Sequence, residues 1–214
     1  MIAFLLGTLG SLFSVVNPLG AVPMYLTLTA DHTRAENLVT ARKTSVYFAS
    51  ILLVFFFAGT LILNFFGISL DALRIAGGLI IVNSGYGLLN SKFEERRMDK
   101  EMRKEAVEKD DISFTPMAMP MLSGPGSISL LIGLYAANPT WDFRLSIVGI
   151  VLVMALLVYL TLRMAPALFR ILGKSGLAAL SRIMGFLVMG IGIQMLIYGL
   201  ISLAREMYEQ VPAG

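Results

Sequence analysis

The chain has 214 residues, 57% of them hydrophobic and 14% charged, with a formal net charge of +3. A soluble domain carries about 25% charged residues; here charged clusters alternate with long uncharged runs, the pattern of a membrane protein. The absence of cysteine excludes disulfides, thiol catalysis and thiolate metal sites, no metal or cofactor is expected around the single histidine, His32, and the small positive charge reads as a topology signal rather than a nucleic-acid surface.

Six stretches are free of Asp, Glu, Lys and Arg: 1–30, 44–70, 75–91, 112–141, 145–162 and 183–204. A bilayer core of about 30 Å needs roughly 20 apolar residues as helix. Isolated runs in lipid must satisfy their own backbone hydrogen bonds, so each stretch predicts a helix. Alternating segments of about 10 residues, which a barrel requires, do not occur. The expectation is an all-α membrane protein with six transmembrane helices. The first stretch lacks the basic start of a cleaved signal peptide and is taken as a retained span.

The first stretch is interrupted by Asn17-Pro18-Leu19-Gly20, with Pro23 one turn on. The fourth carries Pro120 and then Ser123-Gly124-Pro125-Gly126. Proline removes a backbone donor and clashes with the preceding turn, and glycine adds conformational freedom, so both spans should unwind locally. Freed backbone groups must face protein or a water-filled cavity, not lipid.

Lys and Arg set the orientation. The loops after spans one, three and five hold Arg34, Arg42 and Lys43, then seven basic residues between Lys92 and Lys109, then Arg163, Arg170, Lys174 and Arg182. The opposite side holds Arg74, Arg144 and Arg205. The positive-inside rule makes the first side cytoplasmic and places both termini outside the cytoplasm. The mixed charges of 92–111 predict a solvated helical linker between two units, 1–91 and 112–214.

Those units repeat. Pro18 and Pro125 lie 107 positions apart, and Arg74-Ile75-Ala76-Gly77 sits over Arg182-Ile183-Met184-Gly185 at 108. Three spans per unit is an odd number, so the second unit enters the membrane from the other side. The expectation is a pair of inverted three-helix repeats with broken first and fourth helices, an architecture of secondary transporters.

A half-helix N-terminus in a cavity attracts a carboxylate, and an unwound C-terminal end offers carbonyls to a cation or an ammonium. This chemistry suits a zwitterion. The expected substrate-binding set is Asn17, Pro18, Gly20, Pro23, Ser123, Gly124, Pro125, Gly126, Ser127 and Gln194. Asn17 is equally a helix cap, and serines near the second break, Ser129 included, can bond within their own helix. Asn83 and Gln194 are expected to face the bundle interior, because buried amides in lipid need partners. Asp71 is the expected partner of Arg74. Gly77, Gly78, Gly185, Gly190 and Gly192 are read as packing surfaces.

The segments Asn17-Pro18-Leu19-Gly20-Ala21-Val22-Pro23, Leu73-Arg74-Ile75-Ala76-Gly77-Gly78 and Ser123-Gly124-Pro125-Gly126-Ser127-Ile128 resemble the MarC family of inner-membrane proteins, also called the neutral amino-acid transporter family. The similarity covers nearly the whole chain, and the three motifs together are specific. The resemblance implies an inner-membrane location and, from a member assigned to uptake of glycine, alanine and similar small amino acids, a small-amino-acid substrate. A more distant similarity to the lysine-exporter group leaves uptake and export both open.

No Asp, Glu or His falls near the midplane of a span. Proton coupling would use Asp31, Asp71 or Asp142 at span ends; sodium would be held by carbonyls and hydroxyls. The expected partners are the lipid bilayer, a small neutral amino acid and a coupling ion, H+ or Na+, with self-association into a homo-oligomer also open. An intramembrane serine enzyme lacks a nameable base, because no span holds a histidine and no lysine is near Ser123 or Ser127 in sequence. A channel or a non-transporting scaffold is the remaining alternative.

Overall fold

The computed structural model describes residues 2–90 and 111–209, and every regular element among them is helical. In chain order these are α1 (Ile2–Val16), α2 (Val22–Leu28), α3 (Arg34–Phe65), α4 (Leu70–Leu89), α5 (Ser113–Leu122), α6 (Pro125–Ala137), α7 (Trp141–Arg163) and α8 (Ala165–Glu209). The expected linker, apart from its last residue Asp111, lies outside the described residues.

Local chemistry sets the element ends. Thr33 and Glu36 form a reciprocal capping box at the start of α3: the Glu36 N–H donates to Thr33 Oγ1 at 3.3 Å, and the Thr33 N–H donates to Glu36 Oε2 at 2.7 Å. The exposed Glu36 carboxyl is held below its ordinary pKa by these bonds from Thr33. At the other end Gly67 has φ +66°, and the Ile68 N–H reaches back to the Leu63 carbonyl at 2.9 Å, a glycine-terminated helix end. Ser69 then caps α4 by accepting from the Ala72 N–H at 3.1 Å.

Four helices, α3, α4, α7 and α8, are long and apolar enough to cross a membrane, and a fifth span results if α5 and α6, bent by 64°, are counted together. Six were expected. The shortfall is in the first stretch, where the break after Val16 leaves helices of 15 and 7 residues. At 1.5 Å per residue α1 reaches only about 22 Å, less than a bilayer core of about 30 Å.

The apolar core lies between α3 and α7. Ala41, Ser45, Phe48, Leu52, Phe56, Gly59 and Leu63 are buried on α3, a spacing of three and four that forms one helical stripe. Ile147, Val151, Met154, Val158 and Leu162 form the matching stripe on α7. The opposite faces expose Val54, Leu61, Leu152 and Leu156, as lipid-facing positions do. At one end Arg144 lies over the Tyr135 ring at 4.0 Å, and Tyr135 meets Phe56 edge-on at 5.2 Å.

The α4–α8 contact is the most extensive in the described structure, and it is antiparallel and glycine-lined. A Cβ on Gly78 would lie 2.8 Å from the Gly192 carbonyl oxygen, and one on Gly192 would lie 2.8 Å from that of Gly78. Gly85 and Gly185 are related in the same way, at 2.7 and 2.9 Å. Two apolar helices in lipid gain little from hydrophobic burial against each other, so such close backbone approach is how they associate. Gly77 also packs, against Ser129, whereas Gly190, expected to pack, faces open space. Gly78 and Gly185 are 107 positions apart, as are Gly85 and Gly192. Each of the two glycine contacts therefore becomes the other on that shift.

Among the described residues one ion pair lies within the first turns of α4 and another joins α3 to the residue two before α5. Arg74 Nη1 meets Asp71 Oδ1 at 2.9 Å, the pairing expected from sequence. Lys43 Nζ meets Asp111 Oδ2 at 2.7 Å, and Asp111 Oδ1 also accepts from the Ser113 N–H at 2.9 Å. Partial burial would raise the Asp111 carboxyl, but the bonds from Lys43 and Ser113 outweigh it and leave the pKa below the ordinary carboxylate value.

Candidate functional site

At the first break Asn17 holds φ +46°, a left-handed conformation that asparagine tolerates better than most side chains. Its Oδ1 accepts from the Gly20 N–H at 3.2 Å. A Cβ on Gly20 would overlap the Asn17 amide, so glycine is what lets the amide fold over the turn. Pro23 then sits in the first turn of α2, where its missing N–H costs nothing.

The second break is longer. Thr115 and Met119, each before a proline, are extended rather than helical, the region residues before proline favour. The turns around them are wide: Met117 N–H donates to the Ile112 carbonyl at 3.3 Å and Ser123 N–H to that of Ala118 at 2.8 Å, each five residues back. Gly124 is extended and α6 starts at Pro125. The Gly124 carbonyl accepts from the Ser127 hydroxyl at 2.9 Å and the Ile128 N–H at 3.2 Å. A Cβ on Gly126 would lie 2.7 Å from Ile81 Cγ1, and the Ser129 hydroxyl donates to the Leu73 carbonyl at 3.1 Å. Both bring α6 hard against α4.

The two breaks, 107 positions apart in sequence, face one cavity of about 480 Å³. The first contributes Asn17, Gly20 and Pro23, the second Pro120, Gly124, Pro125, Gly126 and Ser127. Its size falls within the range of small-molecule sites, roughly 300–1,000 Å³. Ile80, Ile81 and Ser84 of α4 and Lys174, Leu177 and Ser181 of α8 complete the walls.

Three expected residues lie elsewhere. Pro18 and Ser123 are buried beside the breaks but do not line the cavity, and the Ser123 hydroxyl has no hydrogen-bond partner among the described residues. Gln194 is exposed on α8, away from the cavity, which corrects the expectation that it faces the bundle interior. The reason is angular: two residues at about 100° each carry it from the buried Gly192 to the far side of the helix. Asn83 is exposed too, and the same correction applies to it.

Lys174, Ser84 and Ser181 were not among the expected site residues. Lys174 follows Gly173, whose φ of 63° and ψ of −178° interrupt α8, a conformation that belongs to glycine. The available signal was the i, i+3, i+4, i+7 spacing of Lys174, Leu177, Ala178 and Ser181, which puts a lysine and a serine on one helical face. Among the described residues no cluster of three His, Asp or Glu side chains is placed to hold a metal ion.

The MarC family integral membrane protein model matches residues 2–204. A UPF0056 membrane protein of Methanocaldococcus jannaschii is 38% identical over 191 residues, covering 89% of this chain and 92% of the relative. The UPF0056 membrane protein YvbG of Bacillus subtilis is 36% identical, covering 94% and 95%. The UPF0056 inner membrane protein MarC of Salmonella typhimurium is 34% identical, covering 91% and 92%. No solved structure matches the chain.

Proposed function

The chain belongs to the MarC family of integral membrane proteins, and from that premise we propose that it is a secondary transporter of a small neutral solute, with small amino acids such as glycine and alanine as the substrate class. It is a multi-pass inner-membrane protein, and transport proceeds by alternating access at the cavity between the two breaks. The observation that carries this reading is the convergence of both broken segments on one cavity. Interrupted helices at membrane depth are tolerated where they line such a space.

The inverted repeat belongs to the same proposal, with α1 and α2 counted together as a broken sixth span. Exchanging the halves under the 107-residue shift maps the Gly78–Gly192 contact onto Gly85–Gly185. It also maps the α3–α6 contact onto α7–α2 and the α4–α6 contact onto α8–α2, all of which occur. The halves differ where the helix is cut: 15 and 7 residues around the first break, 10 and 13 around the second. Swapping those two conformations would turn the cavity toward the other face, which is how inverted repeats alternate.

Orientation follows the basic residues. Lys43 and Asp111 meet at the face assigned to the cytoplasm, and Arg74 and Arg205 share a shallow groove at the opposite face. On that orientation the cavity residues Thr27, Gly87, Leu88 and Lys174 lie toward the cytoplasmic ends of their segments, which supports an inward-facing state; the basic residues alone put both termini outside. The coupling ion is H+ or Na+.

The protein is not read as an enzyme. Lys174 shares the cavity with Ser127, but the Ser127 hydroxyl donates to the Gly124 carbonyl, and no hydrogen bond joins it to the lysine among the described residues; a serine nucleophile needs that base. Flux of labelled glycine and alanine into proteoliposomes tests the reading. Saturable entry with counterflow is expected. Unsaturable conductance would favour a channel, and absence of any flux a scaffold.

A further inference from the structure

The cavity is electrostatically one-sided. Among the described residues Lys174 is the charged side chain in its lining, and no aspartate or glutamate lines it. The ion pairs described join other residues, Lys43 with Asp111 and Arg74 with Asp71. Lys174 is exposed, and it also lines the cavity, on a helical face about 10 Å long that it shares with Leu177, Ala178 and Ser181. The kink at Gly173 precedes it directly, so the course of the chain at that glycine fixes where the lysine projects.

The backbone adds partial charges of both signs. The first turn of α6, at Gly124, Pro125, Gly126 and Ser127, lines the cavity, and the first N–H groups of a helix have no carbonyl within it. Partial charge of opposite sign comes from the carbonyl ends of α1, α2, α4 and α5, which reach the lining at Val16, Thr27, Leu88 and Met121. A solute in this space meets a full positive charge and positive helix end, but only backbone dipoles for an ammonium.

We infer that Lys174 recognises the carboxylate of the transported solute, which makes the carboxylate obligatory and the amino group dispensable. The class accepted is then small carboxylic acids, with amino acids among them. This rests on the cavity being the transport site. Lys174 is a specificity residue: it selects the charge of the solute.

The test uses the full chain, purified and in proteoliposomes, with three probes: alanine, propionate, which keeps the carboxylate alone, and alaninamide, which keeps the amine alone. Melting temperature and flux are read for wild type, Lys174→Met, Lys174→Arg and Arg170→Gln. Arg170 is an exposed cation on the same helix that does not line the cavity, so its loss controls for net charge. Alanine and propionate are expected to stabilise and cross, and alaninamide to do neither. Lys174→Met should lose about tenfold or more in apparent affinity for both acids, Lys174→Arg should retain most of it, and Arg170→Gln should match wild type. Wild-type affinity in Lys174→Met, or alaninamide binding as well as alanine, would leave Lys174 a topology lysine and overturn the inference while the transport reading stands. If no probe binds or crosses, both fail. Should Lys174→Met not fold, the wild-type contrast of propionate with alaninamide decides alone.

Discussion

Glycine does opposite work in two regions of this molecule. Along the α4–α8 seam Gly78, Gly85, Gly185 and Gly192 sit in helices that run on past them, and the absent side chains let two backbones touch. At the breaks Gly20 and Gly124 stand beside prolines, the helix stops, and a cavity opens instead. What separates them is the neighbour. With the hydrogen-bond ladder intact, glycine brings helices together; where a proline cuts the ladder, the missing side chain makes room for the turn, as under the Asn17 amide at Gly20. The seam is a close joint between two helices, and the break region lines the cavity.

The seam should be the less forgiving of the two. Gly85→Leu would drive a side chain into the Gly185 carbonyl and the Met189 backbone, neither of which can rotate away. A loss of about 3 kcal/mol is expected, seen as a lower melting temperature and poor recovery of monodisperse protein. Gly190→Leu, on the facing helix α8 but directed at open space, should behave as wild type. Equal tolerance of both would dissolve the contrast between seam and breaks.

At the breaks function should fall further than stability. Asn17→Ala removes the side chain that accepts from the Gly20 N–H and should cost about 1 kcal/mol while abolishing most flux. Gly173→Ala puts a Cβ at a φ of 63° and should cost about 1–2 kcal/mol. It also redirects Lys174, so a weaker apparent affinity for alanine should accompany it. A variant that loses stability and keeps full flux would move the functional region elsewhere.

The smallest effect belongs to the exposed Lys43–Asp111 pair, which lies outside both regions. The folded Asp111 pKa is depressed, so its contribution is present above the unfolded carboxylate value and is lost as pH falls through the folded one. Asp111→Asn should flatten that part of the melting-temperature profile in acid and change little at neutral pH, as is usual for a solvated pair.

The sequence disclosed the breaks because proline chemistry is local: Pro18 and Pro120 lie within the interruptions, and Pro23 and Pro125 sit in the first turns of the helices that follow. It disclosed the seam glycines as packing residues for a similar reason, although the contacts pair Gly78 with Gly185 under the repeat, one residue from the register that Arg74 and Arg182 suggested. Helix orientation was not legible. α4 and α8 are apolar around most of their circumference, so periodicity does not mark the buried face, and Asn83 and Gln194 were placed inside when both are exposed. Lys174 was hidden by ambiguity: a cation beside a span end serves topology by default, and only the fold brings it to the cavity.

The chain contains no cysteine, so one introduced thiol can report solute access to the cavity. Ser84 lines the cavity, is exposed, and spends its hydroxyl on the Ile80 carbonyl of its own helix at 2.9 Å, which makes Ser84→Cys a mild change. In oriented membrane vesicles a membrane-impermeant thiol reagent should modify it rapidly from the cytoplasmic face and slowly from the outer face, and saturating alanine should slow the cytoplasmic reaction. Rapid modification from both faces at once, or a rate that alanine leaves unchanged, would contradict an alternating-access site between the two breaks.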